Sequence, residues 1–457
     1  MKKYILIIMD GAGDLKKIEN KTPLEISQTP NLDNMVLNGY SGLMQTLYED
    51  LPKGSIVSQM GILGFDPYKY YPNGRASCEA LALGLELGTR DIAFRANLAL
   101  KYKNQLKSYN ANYIKTEDAK KLVKKINDHL ANDFPNFYLH NNSDFRNTLI
   151  IKNTSLLPTD LICPEPHENM GNEFDFSRLI KSKNQDENAD LDQLNNYIFA
   201  TSKILENDIS NIIFPWSASS PLLLPEFEFA KRGKSAIVGH MDFLHGIAVA
   251  AGMEFYNVGN GSWDTDYDKK ADQTLELIQK DYEFIYLHIN GPDEASHAGK
   301  LDKKIFSLEQ IDSKILSRII KYFNENKDEL GGILVTTDHY TNLTAIDSSR
   351  VEAHSSHPVP FAIWNSNQTD DSKSFSEVGC KEGLYGENIN VKYAGSYTLT
   401  SQINRGLVTD VFIPAGTIPV NRINRQLDIL PFISNKLVLI SRDKNGLEWD
   451  LDVLKQF

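Results

Sequence analysis

The 457-residue chain is long enough for two domains, and its 41% apolar and 24% charged residues are those of a globular protein rather than a disordered one. A net charge of −12 argues against nucleic acid or an anionic membrane as partner, but leaves room for an anionic substrate beside a bound dication. Three scattered cysteines, Cys78, Cys163 and Cys380, suit free thiols in a reducing cytoplasm better than a disulfide framework.

Taken in chain order, residues 4–9 (YILIIM) form the first predicted strand, a short β-branched run without polar alternation, as in a strand buried on both faces. The run ends on Asp10 with no small-residue cleavage site, which argues against a signal peptide and for a cytoplasmic protein. Ser55 follows Lys53-Gly54 and precedes an apolar run that continues to Leu63. Glycine before it would allow a tight turn, and the helix after it would aim backbone N–H groups at a phosphate. The competing reading is a simple helix cap.

Between residues 70 and 209 the texture changes. Residues 92–102 and 147–152 read as strands of a separate α+β unit, and the polar run 181–196 as a loop or exposed helix. Residues 211–214, 235–238, 284–289 and 332–336 then read as further buried parallel strands, with helical spacing over 302–324 between the last two. The stretch 236–253 is interrupted by His240, Asp242 and His245, so no segment approaches the ~18 apolar residues that span a bilayer. The pattern predicts an α/β class, a doubly wound and mostly parallel sheet interrupted by a smaller α+β insert. The core is expected over 1–69 and 210–405, the insert over 70–209, and an extension over 406–457 with a strand at 436–441.

The chemistry sits at strand ends. Asp10 follows the first strand, Asp338-His339 follow 332–336, and Asp293 and His297 come shortly after 284–289. His354 lies in Ala353-His354-Ser355-Ser356-His357-Pro358. Ligands of open α/β sheets bind beyond the carboxyl ends of the strands, so these clusters can converge on one edge. Asp293 and His297 are four apart and share a helical face, able to grip one ion. Mixed carboxylate and imidazole donors suit zinc or manganese, and two such ions about 4 Å apart would clamp the attacking and leaving oxygens of a phosphoryl displacement. A lone strand-end aspartate is more often a helix cap, and an Asp-x-x-x-His spacing is commonly a solvated helix face. The joint occurrence in order favours a metal site.

Together these motifs resemble the archaeal-type, cofactor-independent (2,3-bisphosphoglycerate-independent) phosphoglycerate mutases of the alkaline phosphatase superfamily. The marks are Asp10-Gly11-Ala12-Gly13-Asp14, Lys21-Thr22-Pro23-Leu24-Glu25, Thr29-Pro30-Asn31-Leu32-Asp33, Gly54-Ser55-Ile56-Val57 and Asp91-Ile92-Ala93-Phe94-Arg95-Ala96-Asn97, with the later Asp and His blocks. The resemblance implies an alkaline phosphatase-like core and Ser55 as the phosphate-accepting serine. It groups Asp10, Ser55, Asp338 and His339 around one divalent ion, and Asp293, His297 and His354 around a second. Manganese or zinc is expected, with magnesium or cobalt as alternatives. The implied reaction interconverts 3- and 2-phosphoglycerate through a phosphoserine. The alternative is a phosphohydrolase or phosphotransferase acting on another phosphorylated or phosphonate metabolite. A small phosphorylated substrate needs cationic partners from the insert, for which Arg75, Arg95 and Arg146 are candidates, with His167 as a polar partner.

The sequence departs from the family pattern near the substrate. Ile56 stands where the family is acidic, and Gln59 replaces an expected Asn. Pro215-Trp216-Ser217-Ala218-Ser219 replaces an Arg-Gly-Ala-Gly-type loop. Gly74-Arg75-Ala76-Ser77 replaces Gly-Arg-Gly-Pro, Glu165 precedes Pro166-His167 in place of Asp, and His357 falls where the family has Asp or Asn.

Overall fold

The structure, a computed structural model, describes residues 2–15, 18–184, 188–343, 354–364, 369–389, 411–412 and 438–439. The chain divides into two compact units, one from Met1–Lys53 and Pro292–Phe457, the other Gly54–Gly291.

In the first unit the strand Lys3–Met9 pairs in parallel with Leu330–Thr336, Ile5 opposite Ile333 and Ile8 opposite Thr336. Both strands are buried along almost their whole length, which explains their uninterrupted apolar character. Val359–Trp364 lies antiparallel to Leu330–Thr336 and to Tyr40–Met44, and Tyr385–Ile389 runs parallel to Tyr40–Met44. The register decides the site. With Ile8 opposite Thr336, two more residues on each strand bring Asp10 and Asp338 out side by side at the carboxyl edge.

The predicted helix over 302–324 is present, with a π-helical turn, Ile311–Leu316, between Leu301–Gln310 and Ser317–Glu325. Ile311, Ile315, Ile319 and Phe323 are buried along it. Buried Asp312 accepts from the Leu32 amide at 2.8 Å and the Asn31 amide at 3.2 Å. It thereby caps the amino end of the helix Pro30–Leu37, whose own cap residue Thr29 makes no side-chain cap hydrogen bond.

The second unit contains a parallel trio, with Lys234–Gly239 between Glu254–Asn257 and Tyr282–Ile289. It also contains an antiparallel sheet ordered Gln105–Ser108, Ile92–Tyr102, Arg146–Ile151, Phe137–Ser143, and Ile212–Ser219 pairs with Ile92–Tyr102. The core strands of the chain are therefore mostly parallel, as the α/β reading expects, while the α+β part is antiparallel. The expected parallel strand at 211–214 is instead part of this antiparallel sheet, Phe214 opposite Asn97. A short apolar run buried on both faces carries no information about the direction of its neighbour.

The polar run at 181–196 also resolves differently. Lys181–Ser182 pairs with Leu161–Ile162, and Asn188 caps the helix Ala189–Ile204 by accepting from the amides of Asp190 and Leu191. That helix buries Leu191, Leu194, Tyr197 and Ile198 against the antiparallel sheet, a stripe at helical spacing that its polar composition hides. Of the strand expected at 436–441, Val438–Leu439 pairs with Val411–Phe412, and the remainder of the extension lies outside the described residues. Among the described residues no helix is long and apolar enough to cross a membrane.

Candidate metal centre and arginine face

In the first unit six of the predicted side chains converge. Asp10, Asp338 and His339 form one group, with His339 Nε2 3.5 Å from Asp10 Oδ1 and 3.3 Å from Asp338 Oδ2. Asp293, His297 and His354 form the other. His297 Nε2 lies 3.4 Å from Asp293 Oδ1, His354 Nε2 lies 3.6 Å from the same oxygen, and the two imidazole nitrogens are 3.1 Å apart. The groups adjoin, since the rings of His339 and His354 stack with centroids 4.2 Å apart. Asp293 and His297 come from one short helix, Gly291–His297, as their spacing requires. Asp338 is fixed by the amides of Gly11 and His339, which donate to its Oδ1 at 3.1 and 3.0 Å.

Donor atoms spaced this way fit a divalent ion. Ligands around a tetrahedral ion with bonds of about 2.0–2.1 Å stand roughly 3.3–3.4 Å apart, close to the 3.1–3.6 Å seen here. Electrostatics agrees. Burial, followed by the charges of Asp338 and Asp293, pushes the Asp10 carboxyl well above the usual carboxylate range. That is the response of buried acids crowded against like charges. Burial also opposes ionisation of Asp293, but His297 and His354 outweigh it and hold that carboxyl well below its ordinary value. Burial lowers His339, which favours the neutral, ligating imidazole. His354 is raised, because Asp293 overcomes the opposing effect of burial. His357 stands apart from the ligand set, with Nδ1 3.1 Å from Ser355 Oγ and its ring stacked on Tyr340.

The remaining predicted residues lie in the second unit. Ser55 is the first residue of the helix Ser55–Ile62, and the cap is Gly54, in extended backbone open to any residue and with no atom within 4 Å of where a Cβ would be. Ser55 is thus not the cap, and the glycine is not required by a tight turn. Arg95 stands on its strand directly opposite Trp216, its guanidinium carbon 4.4 Å from the ring centroid and its Nε donating to Glu79 Oε2 at 3.2 Å. Burial lowers the Arg95 pKa. Glu79 opposes this, and the nearby charges of Arg75 and Arg146 add to it. Arg95 therefore senses the charges of both other arginines. His167 joins them, 5.4 Å ring to ring from Trp216 and 3.4 Å from Glu165.

The Gly74-Arg75-Ala76-Ser77 and Ser217-Ala218-Ser219 segments are held to each other. The hydroxyls of Ser77 and Ser219 are 2.6 Å apart, the Ser77 amide donates to Ser219 Oγ, and the Arg75 amide donates to Ser217 Oγ. A Cβ on Gly74 would lie 2.4 Å from the Ala218 carbonyl oxygen, so the two loops are packed backbone to backbone. Sequence reading missed Glu79, Thr341 and Lys304, none of which carries a motif. The one signal was the position of Thr341, two residues after His339.

An α/β scaffold with two carboxylate–imidazole groups at its strand ends defines a metalloenzyme, and the profile described as the metalloenzyme superfamily matches residues 2–385. Similar proteins narrow this. The chain is 33% identical over 396 residues to the 2,3-bisphosphoglycerate-independent phosphoglycerate mutase of Methanosarcina barkeri, covering 84% of this chain and 96% of that one. The enzyme of the same name from Methanosarcina mazei is 31% identical at the same coverage. The structure of the PH0037 protein from Pyrococcus horikoshii aligns with a TM-score of 0.63 at 26% identity, over 84% of this chain and 93% of that one. The cofactor-independent phosphoglycerate mutase from Thermoplasma acidophilum shares the fold, with a TM-score of 0.57 at 24% identity over 84% of this chain and 95% of that one. The chain belongs to the 2,3-bisphosphoglycerate-independent phosphoglycerate mutase family of the metalloenzyme superfamily.

Proposed function

We propose that this protein is an isomerase that interconverts 3-phosphoglycerate and 2-phosphoglycerate by metal-dependent phosphoryl transfer through Ser55. The observation that carries the reading is the pair of adjoining donor groups, Asp10/Asp338/His339 and Asp293/His297/His354, each with ion-sized spacing. Family membership supports the substrate, and the likeness of Gly54-Ser55-Ile56-Val57 to the family's motif supports Ser55 as the phosphoryl acceptor. Two divalent ions, manganese or zinc with magnesium or cobalt as substitutes, would neutralise phosphate charge and lower the pKa of the serine hydroxyl. Asp10, Asp338 and His339 hold one, and Asp293, His297 and His354 the other. Ser55 accepts the phosphoryl group and returns it to the neighbouring hydroxyl. Arg75, Arg95 and Arg146 bind the carboxylate and phosphate of the glycerate, and His167 takes a polar or proton-transfer role beside Trp216. The substrate-holding insert, expected over 70–209, is taken to include Ile212–Ser219, because that strand pairs with Ile92–Tyr102. A cytoplasmic location and a small phosphorylated partner follow from this reading.

The Ser77–Ser219 link and Trp216 favour a second reading, in which the same centre acts on another phosphorylated or phosphonate metabolite as a hydrolase or transferase. Here an indole packed on Arg95 stands in the loop where the resemblance implies an arginine. One experiment separates them: purified protein with Mn²⁺ receives either 3-phosphoglycerate or an aryl phosphate. Formation of 2-phosphoglycerate without free phosphate is expected. Phosphate release with no isomer would transfer the assignment to the hydrolase, and inertness toward both would reject phosphoryl transfer on these substrates.

A further inference from the structure

Between the two donor groups lies a side chain that belongs to neither. Thr341 Oγ1 is 2.6 Å from Asp293 Oδ1 and 3.1 Å from His339 Nδ1, all three buried. An ionised carboxylate only accepts, so the threonine proton must go to Asp293. The hydroxyl oxygen then accepts from His339, which places the imidazole proton on Nδ1. The Nε2 lone pair is left facing Asp10 and Asp338. One hydroxyl therefore orients a ligand of each centre and selects the metal-binding tautomer of His339.

The surroundings hold that hydroxyl in place. Gly11 has φ of +61°, and a Cβ there would stand 2.4 Å from Thr341 Oγ1 and 2.7 Å from Asp293 Oδ1, so only glycine leaves the bridge room. The Thr341 carbonyl accepts from the fully buried Lys304 ammonium at 2.9 Å, and the same ammonium reaches Gly13 O at 3.1 Å and Asp14 Oδ2 at 3.0 Å. The Asp10–Asp14 turn and the Asp338–Thr341 turn are thus fastened by one buried cation.

We propose that Thr341 is a positioning residue that couples the two centres, with Lys304 holding it in register, so that loss of its hydroxyl weakens both ions together. This rests on the metal reading above, and binding is therefore measured without turnover. Purified, metal-free wild type, Thr341→Val and Thr341→Ser are titrated with Co²⁺ by calorimetry and visible absorption. Thr341→Val should weaken both ions about 10- to 100-fold, the usual cost of losing such a partner, while Thr341→Ser stays close to wild type. Weakening of one ion alone, or unchanged affinities and spectrum in Thr341→Val, would overturn the coupling. Failure of the wild type to bind any Co²⁺ would overturn the metal reading together with it. Should Thr341→Val not fold, ¹⁵N-histidine spectra of the wild type still decide the tautomer. An Nδ1-protonated His339, assigned by its disappearance in His339→Gln, is expected, and an Nε2-protonated ring refutes the bridge.

Discussion

The acidic rim of the first unit and the arginine face of the second both concentrate like charges, and they manage that repulsion in opposite ways. At the rim the side chains are locked by short contacts among themselves, and the supporting pair Lys304 and Asp14 is wholly buried, each side chain 0% exposed. On the arginine face Arg95 and Arg146 stand on paired strands while Arg75 caps the helix Ala76–Ala82 and His167 lies in a turn, and the charges are left partly open, with Arg75 and His167 side chains 43% and 46% exposed. A small ion of fixed radius rewards preformed spacing, because ligand misplacement costs coordination energy directly. A flexible organic anion rewards adjustable partners, since guanidinium forks close on carboxylate or phosphate only once it arrives.

If that contrast is right, damage to the two regions should have different signatures. Ser55→Ala should have the largest effect, abolishing phosphoenzyme and reducing turnover by more than about 10⁴-fold with folding intact. Full activity in that variant, measured with radiolabelled substrate, would remove Ser55 from the reaction. Asp338→Asn should follow, with a loss exceeding about 100-fold and a matching loss of bound metal by elemental analysis, since even an indirect partner of a ligand costs that much. EDTA should inactivate the wild type reversibly, with Mn²⁺, Co²⁺ or Zn²⁺ restoring it. Turnover that survives exhaustive stripping would contradict the rim's assignment.

Arg95→Met should lower kcat/KM roughly 10- to 100-fold, the equivalent of about 1.5–3 kcal/mol for a charged hydrogen bond, yet leave metal content unchanged. A change in metal content would erase the distinction between the regions. The last effect concerns stability rather than turnover, at a second buried lysine. Lys304 has a carboxylate partner, whereas Lys270 is buried in the second unit with its ammonium donating to the His288 carbonyl, and burial pushes it down to about 8. Its folded pKa lies below the unfolded value, so between about pH 8 and 10.5 the unfolded chain binds more protons and stability rises with pH. Lys270→Met should remove that rise, on the order of 3 kcal/mol over the window, as read by the difference in urea unfolding between wild type and variant. A pH-independent difference would show that Lys270 carries no such penalty.

Legibility differed in the same way. Asp293 and His297 could be read directly, because a four-residue spacing on a helix is a local rule. Asp10 and Asp338 were legible as strand-end acids, but their neighbourhood depended on the Ile8–Thr336 register. Lys304 was hidden inside a regular amphipathic helix, where a lysine ordinarily points to solvent. Thr341 was hidden because a hydroxyl beside a histidine carries no motif of its own. The strand Ile212–Ser219 was recognised as a strand and assigned the wrong direction, while the helix Ala189–Ile204 was masked by polar residues on its open face.

The sequence alone determined which residues could bear the chemistry, the family and the α/β class, because side-chain type, local periodicity and short spacing are properties of neighbouring residues. Tertiary structure alone decided which donor side chains lie within a few ångströms of one another, which hydroxyl joins the two groups, and that Ser77 meets Ser219. Contacts of this kind join positions 327 residues apart, as between Gly11 and Asp338, and only packing and strand register bring such positions within hydrogen-bond range.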